Sequence, residues 1–156
     1  MVYKTYKEQR NFTELINQTT FVTMPIKVND NLTVSKFTVK VEGREPFTVE
    51  IGGPDLKVQI PESSKYVTTI HFTVTGAPIK AFKYKQVAKK GGITIKSREV
   101  EIGDYEPREE EYTYEFPEDS TPGGFLLRGN YPVTLTYYVD GQELIANDWT
   151  TEVVAK

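Results

Sequence analysis

Histidine, cysteine and grouped carboxylates carry most side-chain chemistry. This chain of 156 residues has one histidine, no cysteine and 22 acidic residues. A general base needs a positioned partner, and a zinc site needs three or four nitrogen or sulfur ligands. His71 stands alone in the run KYVTTIHFTV. There it alternates with apolar residues, which puts it on the face opposite them, solvated or packed on a sheet. No phosphate-binding loop or dinucleotide fingerprint occurs, and the carboxylates lack the regular spacing of a calcium loop. No catalytic residue, metal site or cofactor is expected. The chain reads as a binding protein.

The carboxylates are densest in residues 104–119, DYEPREEEYTYEFPED, where Arg108 is the only base. Such a run is either a solvated sheet edge kept apart from other edges by charge or a landing site for a basic partner surface. A contrasting stretch, KAFKYKQVAKKGG, carries Lys80, Lys83, Lys85, Lys89 and Lys90 with Phe82 and Tyr84 between them. Strand alternation sets the aromatics opposite Lys83 and Lys85, giving a core face and a lysine face. With a formal net charge of −3, no nucleic-acid partner is expected.

These groups must be held by strands. From residue 31 onward the apolar period is two: Phe47, Val49 and Ile51; Tyr66, Thr68, Ile70, Phe72 and Val74; Tyr131, Val133, Leu135, Tyr137 and Val139; Trp149, Thr151, Val153 and Ala155. Alternation of this kind marks strands with one buried face. Gly52-Gly53-Pro54, Pro61-Glu62-Ser63-Ser64, Gly76-Ala77-Pro78, Gly91-Gly92 and Pro122-Gly123-Gly124 read as turns, and Asp140-Gly141 as a two-residue hairpin. About eight or nine short strands so spaced predict an all-β, immunoglobulin-like antiparallel β-sandwich over residues 25–156. Residues 1–24 read as a short, partly helical N-terminal arm. Thr5 with Glu8 and Asn11 with Glu14 have capping-box spacing, and Phe12, Leu15 and Ile16 share one helical face. A helix this short needs a surface to lie on. The N-terminus shows no apolar signal region and no apolar run approaches the ~20 residues of a membrane helix. A cytoplasmic monomer is expected, and the sequons at Asn11, Asn17 and Asn31 read as chance.

The stretch from FTVTGAPIKAFKYKQVAKKGG through EIGDYEPREEEYTYEFPEDSTPGGFLLRGNYPVTLTYYVDG resembles the Rho GDP-dissociation inhibitor (RhoGDI) family. KYKQ, GDYEPREEEYTYEFP, PGGFLLRGNY and the Asp148-Trp149 pair keep the family's order and spacing. The resemblance covers about residues 32–156. It implies a sandwich whose sheets part at one end to admit an isoprenoid, and an arm that folds on the switch regions of a GTPase. The partner implied is a GDP-bound, prenylated Rho/Rac-type small GTPase, with a geranylgeranyl or farnesyl group as buried ligand and the membrane met only through the GTPase.

By order along the chain, the resemblance puts the isoprenoid against Val39, Val58, Tyr66, Leu126, Val133 and Trp149. Each is also the kind of residue that fills an ordinary sandwich core. It puts the GTPase against Tyr6, Glu8, Phe12 and Leu15 of the arm and against Glu109, Glu110, Glu111, Glu118, Asp119 and Asp140. Two departures stand out: Val100 falls where the family has a pocket tyrosine, and Asn147 where it has a second tryptophan. Competing readings are a prenyl-binding chaperone without control of nucleotide, favoured by the short arm, and a structural sandwich with a filled core.

Overall fold

The computed structural model describes residues 25–51 and 56–156, the side chains of 145–147 apart. The expected arm of residues 1–24 and the Gly52-Gly53-Pro54 turn lie outside the described residues. Eleven strands follow in chain order: β1 (Ile26–Lys27), β2 (Leu32–Val41), β3 (Phe47–Glu50), β4 (Lys57–Pro61), β5 (Lys65–Val74), β6 (Ile79–Lys90), β7 (Ile93–Tyr105), β8 (Tyr112–Glu115), β9 (Asp119–Ser120), β10 (Gly129–Val139) and β11 (Gln142–Val154). A 3-10 turn, Phe125–Leu127, separates β9 from β10. No helix among the described residues is long and apolar enough to cross a membrane.

Two sheets face each other, as the alternation predicts. One runs β1-β2-β5-β8, with β3 also on β2 and β9 also on β5; the other runs β4-β11-β10-β6-β7. All pairings are antiparallel except β4 with β11, which is parallel, Val58 opposite Thr151. The sandwich is thus not antiparallel throughout. A parallel partner cannot be joined by a tight turn, so no local signal announces it.

The turns are built as their residues require. Asp140 and Gly141 both have positive φ, 56° and 76°, and join Val139 to its partner Gln142. Both central residues of a type I′ hairpin need that conformation. Gly91 and Gly92 do the same between Lys90 and Ile93.

The inward faces match the predicted parity. Ile70, Phe72, Val74, Leu135 and Tyr137 are fully buried, as are Phe82 and Tyr84 between their lysines. His71 lies on the outer face of its sheet, its ring nitrogens 2.8 Å from Thr38 Oγ1 and 3.3 Å from Glu111 Oε1.

The core is not uniform along its length. At the end where β5 finishes, four rings interlock: Phe72 meets Phe82 at 5.1 Å, Tyr105 at 4.9 Å and Tyr112 at 5.5 Å. Towards the other end, where β5 starts, a second aromatic group forms a wall: Phe37 with Trp149 at 5.6 Å and Tyr84 at 6.0 Å. Beyond that wall the facing side chains are short and mostly branched at Cβ, including Val39, Val49, Val58, Thr68, Val133 and Thr151. Short side chains opposite short side chains leave space that close packing elsewhere removes.

Candidate functional site

That space takes the form of two adjoining cavities between the sheets. The deeper, of about 30 Å³, is bounded by Val39, Val58, Tyr66, Thr68, Tyr84 and Trp149 among others. The outer, of about 60 Å³, is bounded by Ala88, Ile95, Lys96, Pro122, Tyr131 and Val133 among others. Tyr66, Gln86 and Thr151 line both, so the two form one interrupted channel running to the end of the sandwich. A water needs roughly 10–15 Å³ of such volume, and sites for drug-sized ligands run to about 300–1,000 Å³. The channel as it stands is closed to a long hydrocarbon; the sheets must part to take one.

Of the six residues assigned to the isoprenoid, the structure brings five to this channel. Val39, Val58, Tyr66 and Trp149 surround the deeper cavity and Val133 lines the outer one. Leu126 is elsewhere: it stands 75% exposed on the 3-10 turn, next to Phe125 at 72%. Val100 is buried in the core and bounds neither cavity.

The channel is closed along one side by charge. Asp119 on β9 accepts hydrogen bonds from Lys96 on β7, from Arg98 Nη1 at 3.3 Å and from the Tyr66 hydroxyl at 3.1 Å. Arg98 also donates to the Pro117 carbonyl and lies over the Phe116 ring. Strands β7 and β9 are outer strands of different sheets, so this clasp ties the sheets together beside Tyr66.

Burial pushes the Asp119 carboxyl up. The hydrogen bonds from Lys96 and from the Ser120 N–H, with the charges of Lys96 and Arg98, more than offset this and hold it below the ordinary value. Burial, with the negative charge of Asp119, raises the Tyr66 phenol far above its ordinary range despite Arg98. Tyr66 therefore keeps its proton and acts as donor.

Lys96 and Arg98 were not singled out from sequence, though a signal exists. They have the same parity along β7 as the buried Val100 and Ile102. Cations on an inward face need a carboxylate close by.

The acidic residues do not form one patch. Glu109, Glu110 and Glu111 are exposed at the end of the sandwich remote from the channel, where Arg108 N–H bonds the Val74 carbonyl. Asp140 lies at that end too, its N–H on the Lys80 carbonyl at 2.8 Å. Glu118 is at the channel end, 4.0 Å from Lys65. Asp119 is turned inward, its side chain only 13% exposed. Tyr6, Glu8, Phe12 and Leu15 lie outside the described residues. Among the described residues no group of three or more His, Asp or Glu could hold a metal ion.

At the channel end the 3-10 turn is tightly held. Glu62 Oε1 accepts from Arg128 Nε at 2.8 Å, and Oε2 from the Gly124 N–H at 2.7 Å. The Arg128 hydrogen bond, followed by that from Gly124, lowers the Glu62 carboxyl from its ordinary range. Next to Gly124, a side chain at Gly123 would put its Cβ 2.1 Å from Ser63 Oγ, so the Ser63 hydroxyl would have to turn away.

The model of a family described as RHO protein GDP dissociation inhibitor matches residues 4–156. The chain is 33% identical over 104 residues to "Rho GDP-dissociation inhibitor" of Saccharomyces cerevisiae, covering 64% of this chain and 52% of that protein. It is 32% identical over 95 residues to "Probable rho GDP-dissociation inhibitor" of Caenorhabditis elegans, covering 61% and 49%. Over 74 residues it is 32% identical to the human "Rho GDP-dissociation inhibitor 1", covering 47% and 36%. The matched part is thus about half the length of the first two relatives and about a third of the human one.

Proposed function

As this chain belongs to the Rho GDP-dissociation inhibitor family, we propose that it binds a GDP-bound, prenylated Rho-family GTPase in the cytoplasm. In this reading it buries the isoprenoid between its sheets, draws the GTPase off membranes and slows release of GDP. The observation that carries the reading is the change in packing along the core. At one end four aromatic rings interlock, whereas the end bounded by Val39, Val58, Tyr66, Val133 and Trp149 holds a channel.

A geranylgeranyl group has about 20 carbons; at ~0.8 kcal/mol per buried CH₂ its removal from water is worth up to about 16 kcal/mol. A bilayer offers nearly the same, so lipid burial by itself leaves little net gain. Parting the sheets also has a cost. The surplus must come from contact between the proteins. Residues 1–24 are proposed as a separate arm on the switch loops and residues 25–156 as the lipid-binding unit. The exposed carboxylates Glu109, Glu110, Glu118 and Asp140 offer sites for basic surfaces of the GTPase. Docking of the arm would hold the switch loops over nucleotide and Mg²⁺.

The test is extraction of a geranylgeranylated Rho GTPase from liposomes by the purified chain, with release of a fluorescent GDP followed in parallel. Extraction with slowed release is expected. Extraction without slowing would leave a prenyl-binding chaperone; neither effect would leave a structural sandwich.

A further inference from the structure

The channel end of the sandwich exposes more large apolar side chains than the core requires. Phe125 is 72% exposed, Leu126 75% and Leu127 39% on the 3-10 turn; Ile93 is 68% and Ile95 50% exposed at the start of β7. These two groups are neighbours. Ile95 and Tyr131 bound the same outer cavity, and the Tyr131 hydroxyl donates to the Leu127 carbonyl. A single exposed leucine is ordinary, but a contiguous group is not. Nor is the exposure a result of slack. The backbone of the turn is fixed by Glu62, by Tyr131 and by Lys90, whose Nζ donates to the Arg128 carbonyl at 2.9 Å. The side chains are held outward.

The carboxylates at this end are paired with cations, Glu118 with Lys65 at 4.0 Å and Glu42 with Lys156 at 3.8 Å. Arg128 and Glu62 neutralise each other. Lys89 is exposed, Lys90 lies 4.8 Å over the Tyr131 ring, and neither has a carboxylate partner among the described residues. The carboxylates Asp104, Glu106, Glu109, Glu110 and Asp140 are exposed at the opposite end. In the field of a negative surface the molecule would turn its channel end inward and its acidic end away.

We propose that this end is a membrane-docking surface whose partner is an anionic bilayer. Phe125, Leu127 and Ile93 enter the boundary between headgroups and acyl chains, and Lys89 and Lys90 meet lipid phosphates. Apolar tips flanked by lysines suit that boundary. Given the prenyl-binding reading, on which the role of the docking rests, the mouth of the channel then lies at the depth where a prenyl chain leaves the bilayer. The lipid passes from one apolar phase to another without crossing water. This proposal departs from the expectation from sequence, that the membrane is met only through the GTPase.

The test is flotation of the full chain, with no GTPase present, on phosphatidylcholine vesicles with and without phosphatidylserine. Binding to the anionic vesicles is expected, with loss of about fivefold for Lys89→Ala and about tenfold for Phe125→Ser combined with Ile93→Ser. The double variant should still bind a soluble farnesyl-cysteine analogue like wild type by calorimetry. The proposal is overturned if wild type fails to float with anionic vesicles, or if both variants float like wild type. It is also overturned if sedimentation shows a dimer that the double variant loses, since the face would then belong to a second copy. Wild type that floats but fails to bind the analogue upholds the docking surface and rejects the prenyl reading.

Discussion

Asp119 Oδ2 lies 3.3 Å from Arg98 Nη1, across the gap between an outer strand of one sheet and an outer strand of the other. One carboxylate thereby holds the side of the channel shut, with Lys96 and Tyr66 as its other partners.

Asp119→Asn is expected to loosen that closure. It leaves two partly buried cations without a countercharge, at about 1–3 kcal/mol of folding stability. Uptake of a farnesyl-cysteine analogue should become faster, read by stopped-flow fluorescence. Lower stability with an unchanged uptake rate would make the clasp structural only.

Acid should act through the same group. The folded Asp119 carboxyl sits below its ordinary value of 3.8, so its ionised form favours the fold. That stabilisation is fully present above 3.8 and is lost as pH falls through the lower, folded value. The stability difference between wild type and Asp119→Asn should be constant over about pH 5 to 8 and shrink below about pH 4. A difference that shrinks near neutral pH would show that another group governs the clasp.

Trp149 should report ligand. It is the only tryptophan, it borders the deeper cavity, and its ring meets Phe37 edge-on at 5.6 Å. Parting the sheets must change those surroundings. A shift in emission on adding a prenyl-cysteine analogue is expected; binding by calorimetry with an unmoved spectrum would place the ligand elsewhere.

Tyr137→Phe should stabilise the fold by about 0.5–2 kcal/mol in urea denaturation. The Tyr137 ring is fully buried and its hydroxyl has no partner among the described residues. A buried hydroxyl without a bond is a standing desolvation penalty. A less stable variant would reveal a partner.

Glu109→Lys with Glu110→Lys should weaken capture of a prenylated GTPase by about tenfold at low salt, and less at high salt. Both side chains are exposed, so the melting temperature should hardly move. Unchanged capture at both salt concentrations would return them to the role of a solvated edge.

What could be read in the chain follows physical range. Strand parity is local, so the inward positions of β5 and β10, the lysine and aromatic faces of β6 and the Asp140-Gly141 hairpin were legible. The cluster of Val39, Val58, Tyr66 and Trp149 came from the family resemblance; parity puts such residues inside but not together. The parallel register of β4 on β11 was hidden because nothing near residue 57 names residue 150. Asp119 looked like one more carboxylate in an acidic run. Its inward turn depends on Lys96 and Arg98, which lie some twenty residues earlier on the facing sheet. The resemblance puts Leu126 against the isoprenoid, but its turn is held by Glu62 and the side chain stands exposed.

The parallel register of β4 on β11 also has a consequence for synthesis. Val58 and Trp149, on the same wall of the deeper cavity, come from strands that meet only after a loop of about 90 residues has closed, a step that is slow for entropic reasons. Because β4 pairs only with β11 among the described strands, a chain emerging from the ribosome must hold β4 as an unpaired edge until β11 is made. The pocket would close only after every other described strand has been made, and a chain stalled shortly before β11 would present its apolar strands to whatever chaperone or neighbour it met first.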